Sequence, residues 1–98
     1  METEDLIPIQ EIITHHNVEI TFIDSLHDFG LIEITTVEET RYVFKGQMSE
    51  LEKMIRLHYE LDINLEGIEA ISHLLQRVNS LQEELVVMRN KLKVYEGE

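Results

Sequence analysis

The sequence predicts a mainly α-helical fold, in which two short helices and a turn precede a small β-hairpin and a long C-terminal helix. Two short helical patterns lie close together before residue 30. Two strand-like runs follow them, and apolar residues then recur at spacings of three and four almost to the end of the chain. With 98 residues, the chain is long enough for one domain and too short for two.

The first helix is predicted from the spacing of its isoleucines. Ile9, Ile12 and Ile13 share one helical face. We therefore expect a helix over residues 8–15, whose first turn accepts Pro8 because the amide hydrogen that proline lacks has no partner there.

A turn and a second helix follow. Asn17 is a suitable turn residue, and Gly30 is a suitable residue just past a helix end. Between them, the apolar stripe consists of Ile20, Ile23, Leu26 and Phe29. Two short helices separated by a few residues form a helix-turn-helix unit.

The next stretch has the composition of a β-hairpin. Residues 31–36 and 40–44 are β-branched or aromatic in character, and residues 37–39 can turn between them. Ser49 and Glu52 then form a predicted capping box at the start of a third helix. The apolar face predicted for that helix contains Leu51, Met54, Ile55, Leu57, His58 and Leu61.

The last helix carries the most regular pattern in the chain. Asn64 is its predicted N-cap, and the helix runs from Leu65 to about Tyr95, roughly 45 Å at 1.5 Å per residue. Its apolar positions alternate spacings of three and four, which is the heptad seam of a coiled coil. This seam consists of Ile71, Leu74, Val78, Leu81, Leu85, Met88, Leu92 and Tyr95.

Such a seam reaches beyond the core of a domain this small, so we expect a second copy of the chain to cover it. Ile71 and Leu74, with Val78 at the boundary, should pack on the globular part. The predicted dimerisation residues are Val78, Leu81, Leu85, Met88, Leu92 and Tyr95. The spacing leaves parallel and antiparallel pairing open. The expected organisation is a disordered N-terminus, a helix-turn-helix domain and a coiled-coil helix, at residues 1–5, 6–70 and 71–96.

The composition argues against an enzyme, a metal site and a membrane protein. The chain has no cysteine, no phosphate-binding glycine loop and no H-E-x-x-H motif. His15 and His16 are adjacent and would point about 100° apart on a helix, and the other three histidines lie on different predicted elements, so we expect no metal, no cofactor and no catalytic residue. It shows no signal-peptide pattern and no apolar run of transmembrane length, so the cytoplasm is the expected compartment.

The formal net charge of −12 has the wrong sign for binding nucleic acid. A recognition helix needs Arg or Lys to contact phosphates and guanine edges, yet residues 1–40 contain ten acids and neither of these cations. The nearest cations are Arg41 and Lys45, near the hairpin. An acidic surface instead favours a basic protein partner.

The order of these elements resembles the MerR-type winged helix-turn-helix fold, in which the hairpin is the wing. The strings that carry the resemblance are IPIQEIITHHNV, FIDSLHDFGLI, TRYVFKG and RLHYELDINLEGIEAI. In MerR-type regulators the second helix carries two arginines and a pair of tyrosines, and the positions that align with them here are Thr21, Asp24, Ser25 and Leu26. The wing arginine aligns near Tyr42, beside Arg41. The departures fall on the DNA-contacting positions. The resemblance also implies that two copies of the chain pair through antiparallel C-terminal helices, as MerR-type dimers do.

Within this fold, the chain is similar to the CbpM-type chaperone modulators over residues 6–92. The strings that carry this similarity are YVF, RLHYEL and LEGIEAISHLL, followed by the leucine-spaced terminal helix. The resemblance implies an inhibitor that occupies the J-domain of a DnaJ-like co-chaperone of the CbpA type, in competition for a basic surface. A MerR-like dimeric regulator that binds DNA and a plain oligomerisation module remain the alternatives.

Candidate contact residues for a J-domain combine apolar anchors with an acidic rim. Phe22 and Phe44 can equally belong to the core. The candidates are Phe22, Asp24, Leu26, Asp28, Glu39, Tyr42 and Phe44.

Overall fold

A computed structural model of the protein describes residues 5–96. This part of the chain forms four α-helices and one three-stranded antiparallel sheet. The elements in chain order are β1 (Leu6–Pro8), α1 (Ile9–His16), α2 (Ile20–Asp28), β2 (Thr35–Val37), β3 (Thr40–Phe44), a 3₁₀ turn (Lys45–Gln47), α3 (Met48–Tyr59) and α4 (Leu65–Glu96). The predicted fold is confirmed: a mainly helical chain with a helix-turn-helix unit, a small hairpin and a long C-terminal helix. Of the disordered segment expected at residues 1–5, all but Asp5 lies outside the described residues.

The sheet has β3 in its centre, between β1 and β2. Ile7 of β1 lies opposite Val43, and Thr36 of β2 lies opposite Arg41. The sequence did not predict β1, because a run of three residues that ends in Pro8 is too short to show the alternation of a strand. This strand ties the start of the described chain to the hairpin.

The strand predicted over residues 31–36 is wrong at its beginning. Only Thr35–Val37 forms β2, and the preceding residues form a loop after α2. Ile32 in this loop is 3% exposed and belongs to the core. The backbone polar groups of Glu33 in this loop find their partners in the side chain of Gln47. This side chain accepts a hydrogen bond from Glu33 N–H (2.8 Å) and donates one to the Glu33 carbonyl (3.0 Å). Core packing and a side chain therefore hold this loop without a strand partner.

A two-residue turn joins β2 and β3, where the sequence predicted a turn over residues 37–39. Val37 pairs with Thr40, so the turn consists of Glu38 and Glu39, with φ of 49° and 70°. Positive φ at both central residues is typical of a type I′ turn, which favours Asn and Gly. The wing tip thus holds two glutamates in a backbone region that L-residues seldom adopt.

Of the two N-terminal caps predicted for α3 and α4, the first is wrong and the second is confirmed. α3 begins at Met48 without a side-chain cap, so the capping box of Ser49 and Glu52 does not form. The reason is that the 3₁₀ turn runs directly into α3 and places Ser49 inside its first turn. Asn64 does cap α4, because its Oδ1 accepts a hydrogen bond of 2.8 Å from Gly67 N–H.

The core lies where α1, α2, α3 and the first turns of α4 meet one face of the sheet. Apolar stripes of the helices are removed from water at this junction, which is the main source of their stability. The largest fully buried side chains are Ile12, Ile23, Leu26, Val43, Leu51 and Ile68. Leu61, predicted on the apolar face of α3, is 64% exposed because α3 ends at Tyr59.

α4 leaves the core after its second turn. Ile68 is fully buried and Ile71 is half-buried, but Leu74 is 61% exposed and Val78 is 45% exposed. The expectation that Leu74 packs on the globular part is therefore wrong. A helix of 32 residues extends about 48 Å, and the other elements cover only its first turns. We call residues 5–64 the head.

Candidate protein-binding surfaces

α2 occupies the position from which a helix-turn-helix unit reads DNA. Asn17 sets the preceding turn with a left-handed backbone (φ 55°). The outward side of α2 carries Thr21 and Asp28, which are exposed, and Asp24, which is half-buried. The helix contains no Lys or Arg. Its surface can therefore accept hydrogen bonds and cations, but it offers no positive charge to a phosphate.

Two predicted contact residues, Phe22 and Leu26, belong to the core instead. Leu26 is fully buried and Phe22 is 5% exposed. Because they lie four residues apart, both side chains leave α2 on the same face, which packs inward. The Phe22 ring stacks on His58 with 4.5 Å between ring centroids and meets the edge of Tyr59 at 5.3 Å. Neither residue can contact a partner while the head is folded.

The cluster around Phe22 also positions α2 and α4, a role that the sequence did not predict. Glu19 N–H, just before α2, donates a hydrogen bond of 3.1 Å to Tyr59 Oη. His58 Nδ1–H donates one of 3.0 Å to the carbonyl of Ile63, in the linker before α4. The only sequence signal was a His-Tyr pair at the end of an amphipathic helix. These side chains hold both helices against α3.

Asp24 forms an ion pair with Arg41 of β3. Arg41 Nη1 donates a hydrogen bond of 2.9 Å to Asp24 Oδ1, and both side chains are more than 40% exposed. An exposed pair of this kind contributes at most about 1 kcal/mol to stability. The pair places the Arg41 cation of the hairpin next to a carboxylate of α2, which reduces the positive charge that this part of the surface offers to a phosphate.

The remaining candidates lie on the hairpin. Tyr42 and Phe44 are both half-buried, and neither belongs to the main core cluster. They are two residues apart on β3, so they share the sheet face opposite Val43, which is fully buried. Glu39 is exposed at the wing tip. Asp24 is bonded to Arg41, which lies on the other face of β3, so Asp24 lies on a different side of the sheet from Tyr42 and Phe44.

Histidines do not converge on a metal site in the described part of the chain. Residues 5–96 contain no group of three or more His, Cys, Asp or Glu side chains that could hold an ion. His15 and His16 meet edge-to-face at 5.0 Å, and His16 Nε2 lies 3.7 Å from a carboxylate oxygen of Glu52. Within the same residues, no helix is both long and apolar enough to cross a membrane.

The predicted seam is exposed along the whole projecting part of α4. Its side chains are 45% to 87% exposed. These side chains are Val78, Leu81, Leu85, Met88, Leu92 and Tyr95. An apolar stripe of this length is unusual for a surface that faces water alone.

These features occur together in one known family. The sequence matches the family described as "MerR HTH family regulatory protein" over residues 7–90. The chain belongs to this family. The matched span of the MerR-type domain runs from β1 through the head and most of α4. A comparison with curated proteins gave no significant match, and a comparison with solved structures gave none.

MerR-type membership agrees with the helix-turn-helix unit, the hairpin and the long terminal helix, and this is a family of regulators, not of enzymes. The resemblance aligned four positions of α2 with the arginines and tyrosines of MerR-type regulators, and these four differ in burial. Of these, Leu26 is buried, whereas Thr21 is exposed and Asp24 and Ser25 are half-buried. Thr21 and Asp24 therefore belong to the outer surface of the helix, whereas Leu26 belongs to its packing face.

Proposed function

We propose that this chain is a protein-binding modulator that inhibits a DnaJ-like J-domain co-chaperone of the CbpA type, in the cytoplasm, by occupying its J-domain. The observation that carries the proposal is the charge of the surface from which a MerR-type unit reads DNA. α2 presents Asp24 and Asp28 and has no Lys or Arg, and Arg41 is paired with Asp24. The resemblance to CbpM-type modulators supplies the identity of the partner.

Charge favours a protein over nucleic acid as the partner. The chain carries −12 formal charges, and phosphates would meet carboxylates on α2. Like charges at an interface cost several kcal/mol, whereas a basic surface is attracted and steered towards the head. The contact candidates that remain accessible are Asp24, Asp28, Glu39, Tyr42 and Phe44. Exposed acids contribute little each, so the aromatic pair supplies the anchors.

The functional unit that we propose is a homodimer. The seam of α4 supplies an apolar stripe on a helix that the head does not cover. A second copy offers the same stripe. Helices with heptad seams usually bury their apolar stripes by pairing with each other. Two heads at the ends of one paired helix would let one dimer engage two co-chaperones.

Binding can be measured by calorimetry between the chain and a full-length DnaJ-like co-chaperone from the same organism. We expect binding at low salt that weakens as salt rises, and loss of the co-chaperone's stimulation of its ATPase partner. Glu39→Gln should weaken binding more than Glu83→Gln, which removes the same charge from the projecting helix. A folded sample that does not bind at low salt would refute the proposal.

A second candidate is a dimeric regulator that binds DNA, and the family match favours it. It predicts a specific mobility shift with the chain's own upstream region and a steep loss of affinity with salt. It also predicts that Asp24→Asn and Asp28→Asn leave specific DNA binding unchanged or stronger. A specific shift at physiological salt would favour this candidate over the J-domain modulator.

A further inference from the structure

The sheet has a second face, turned away from the core. In an antiparallel sheet, residues opposite each other on neighbouring strands point to the same side. Leu6 lies opposite Phe44, Pro8 opposite Tyr42, and Val37 opposite Thr40. Since Val43 and its partner Ile7 face the core, these residues face the other way. Thr35 lies opposite Tyr42 and belongs to the same side. We call the following set the outer sheet face: Leu6, Pro8, Thr35, Val37, Thr40, Tyr42 and Phe44.

The outer sheet face is an apolar cluster of its own. Leu6 is 5% exposed but does not belong to the main core cluster. Tyr42 and Phe44 are half-buried and are also absent from the apolar residues packed on that cluster. No described α-helix packs extensively against this side, because α1 contacts the sheet from the core side through Ile9 and Ile12. An antiparallel sheet can leave one face to solvent, and the half-buried Tyr42 and Phe44 keep part of their surface accessible on this one.

Charge separates this face from the rest of the hairpin. Arg41 alternates to the core side of β3, where it is bonded to Asp24. Lys45 lines a groove with residues of α1 and α3 and with Ile7 of β1, which faces the core, so Lys45 also lies on the core side. The wing tip at Glu38 and Glu39 borders the outer sheet face with two exposed carboxylates. The face is therefore apolar along β1 and β3, carries Thr35 and Val37 on β2, and is acidic at the wing tip.

The dimensions suit one helix. Three strands spaced about 4.8 Å apart give a face about 10 Å across, which matches the diameter of an α-helix. We infer that the outer sheet face docks one basic amphipathic helix of the J-domain protein, with its apolar stripe over Tyr42 and Phe44 and its cations towards Glu38 and Glu39. This inference rests on the proposed function and selects the hairpin, not α2, as the contact surface.

Two threonines of the hairpin provide a matched test. Thr40 and Thr36 are both exposed, but Thr40 lies on the outer side, opposite Val37, whereas Thr36 lies opposite Arg41 on the other side. Thr40→Lys should weaken binding of the full-length DnaJ-like co-chaperone about tenfold or more, because it sets a cation against the basic helix. Thr36→Lys changes the net charge equally and should weaken binding less than about twofold.

A second measurement does not depend on added charge. The chain has no cysteine, so Thr40→Cys and Thr36→Cys each introduce one thiol that an alkylating reagent can modify. Bound co-chaperone should slow alkylation at position 40 and leave position 36 unchanged.

The outcomes separate the contact surface from the function. Equal losses from both lysine variants, or protection of position 36 alone, would overturn the outer sheet face while the proposed function stands. A thiol at position 40 that becomes protected as the concentration of the free chain rises would also overturn it, since a second copy would then cover the face. No binding by the unmodified chain would overturn both.

Discussion

Leu85→Asp should convert the chain from a dimer into a monomer. Leu85 is 57% exposed in the middle of the projecting part of α4, far from the buried Ile68. In the proposed dimer, both copies of this side chain become buried in the seam. Replacing them places two carboxylates in an apolar contact, where no partner for either charge is available.

The size of the effect follows from the exposure of Leu85. Full burial of a leucine is worth about 1.5–3 kcal/mol, so burying the exposed half contributes about 1–1.5 kcal/mol per copy. Desolvating an unpaired polar group costs a further 1–2 kcal/mol or so per copy at least. Two copies together lose about 4–7 kcal/mol, which is roughly a 10³–10⁵-fold rise in the dimer dissociation constant.

Sedimentation or light scattering across a concentration series measures this constant. Val87→Asp is the matched control, because Val87 is 51% exposed and two residues along a helix turn the side chain by about 200° to the opposite face. We expect Val87→Asp to remain a dimer. The head should stay folded in both variants. A Leu85→Asp chain that stays dimeric at micromolar concentration, or equal dissociation by both variants, would refute the seam.

Three further predictions concern the stability of the head and can be read from the free energy of unfolding in denaturant. Glu38→Asn together with Glu39→Gly should stabilise the chain by about 1 kcal/mol, because these residues suit a type I′ turn; no gain would contradict the positive φ values. Gly67→Ala should destabilise it by about 1–3 kcal/mol despite the helix propensity of alanine, since a Cβ would lie 2.7 Å from Ile63 Cγ2. Ile63→Ala removes the Cγ2 atom that causes this clash. The double variant should therefore lose less stability than the sum of the losses of Gly67→Ala and Ile63→Ala measured separately. Asn64→Ala should cost about 1 kcal/mol through loss of the cap on α4, and an unchanged stability would show that solvent replaces it.

The helical part of the fold could be predicted because its signal repeats. Ile23 and Leu26 on α2 and Leu51 on α3 recur at helical spacing and are fully buried. Short elements carry no such repetition. Three residues of β1 cannot show a period, and the apolar Ile32 looks like strand sequence although it fills the core from a loop. That loop depends on Gln47, which is distant in sequence.

The contact residues were harder to predict than the fold, for a related reason. Phe22 and Tyr42 are both aromatic and both lie in the HTH-wing region, but only the packing of α2 on α3 shows that Phe22 faces inward. For Tyr42 the decisive fact is the register with Pro8, and that depends on the strand that the sequence did not reveal. Which side of a strand faces water depends on the strands and helices that pack beside it, and these are not visible in the sequence of the strand alone.

The separation of packing from surface explains how a MerR-type fold can carry an acidic recognition helix. The residues that hold α2 in place, Ile23 and Leu26, lie on its buried face, and Asp24 and Asp28 lie outside. Substitutions at exposed positions usually change stability by less than about 0.5 kcal/mol. The charge of the outer surface is therefore free to change without loss of the fold. Family membership consequently fixes the architecture of this chain, whereas the charge on the outer side of α2 can vary without loss of that architecture.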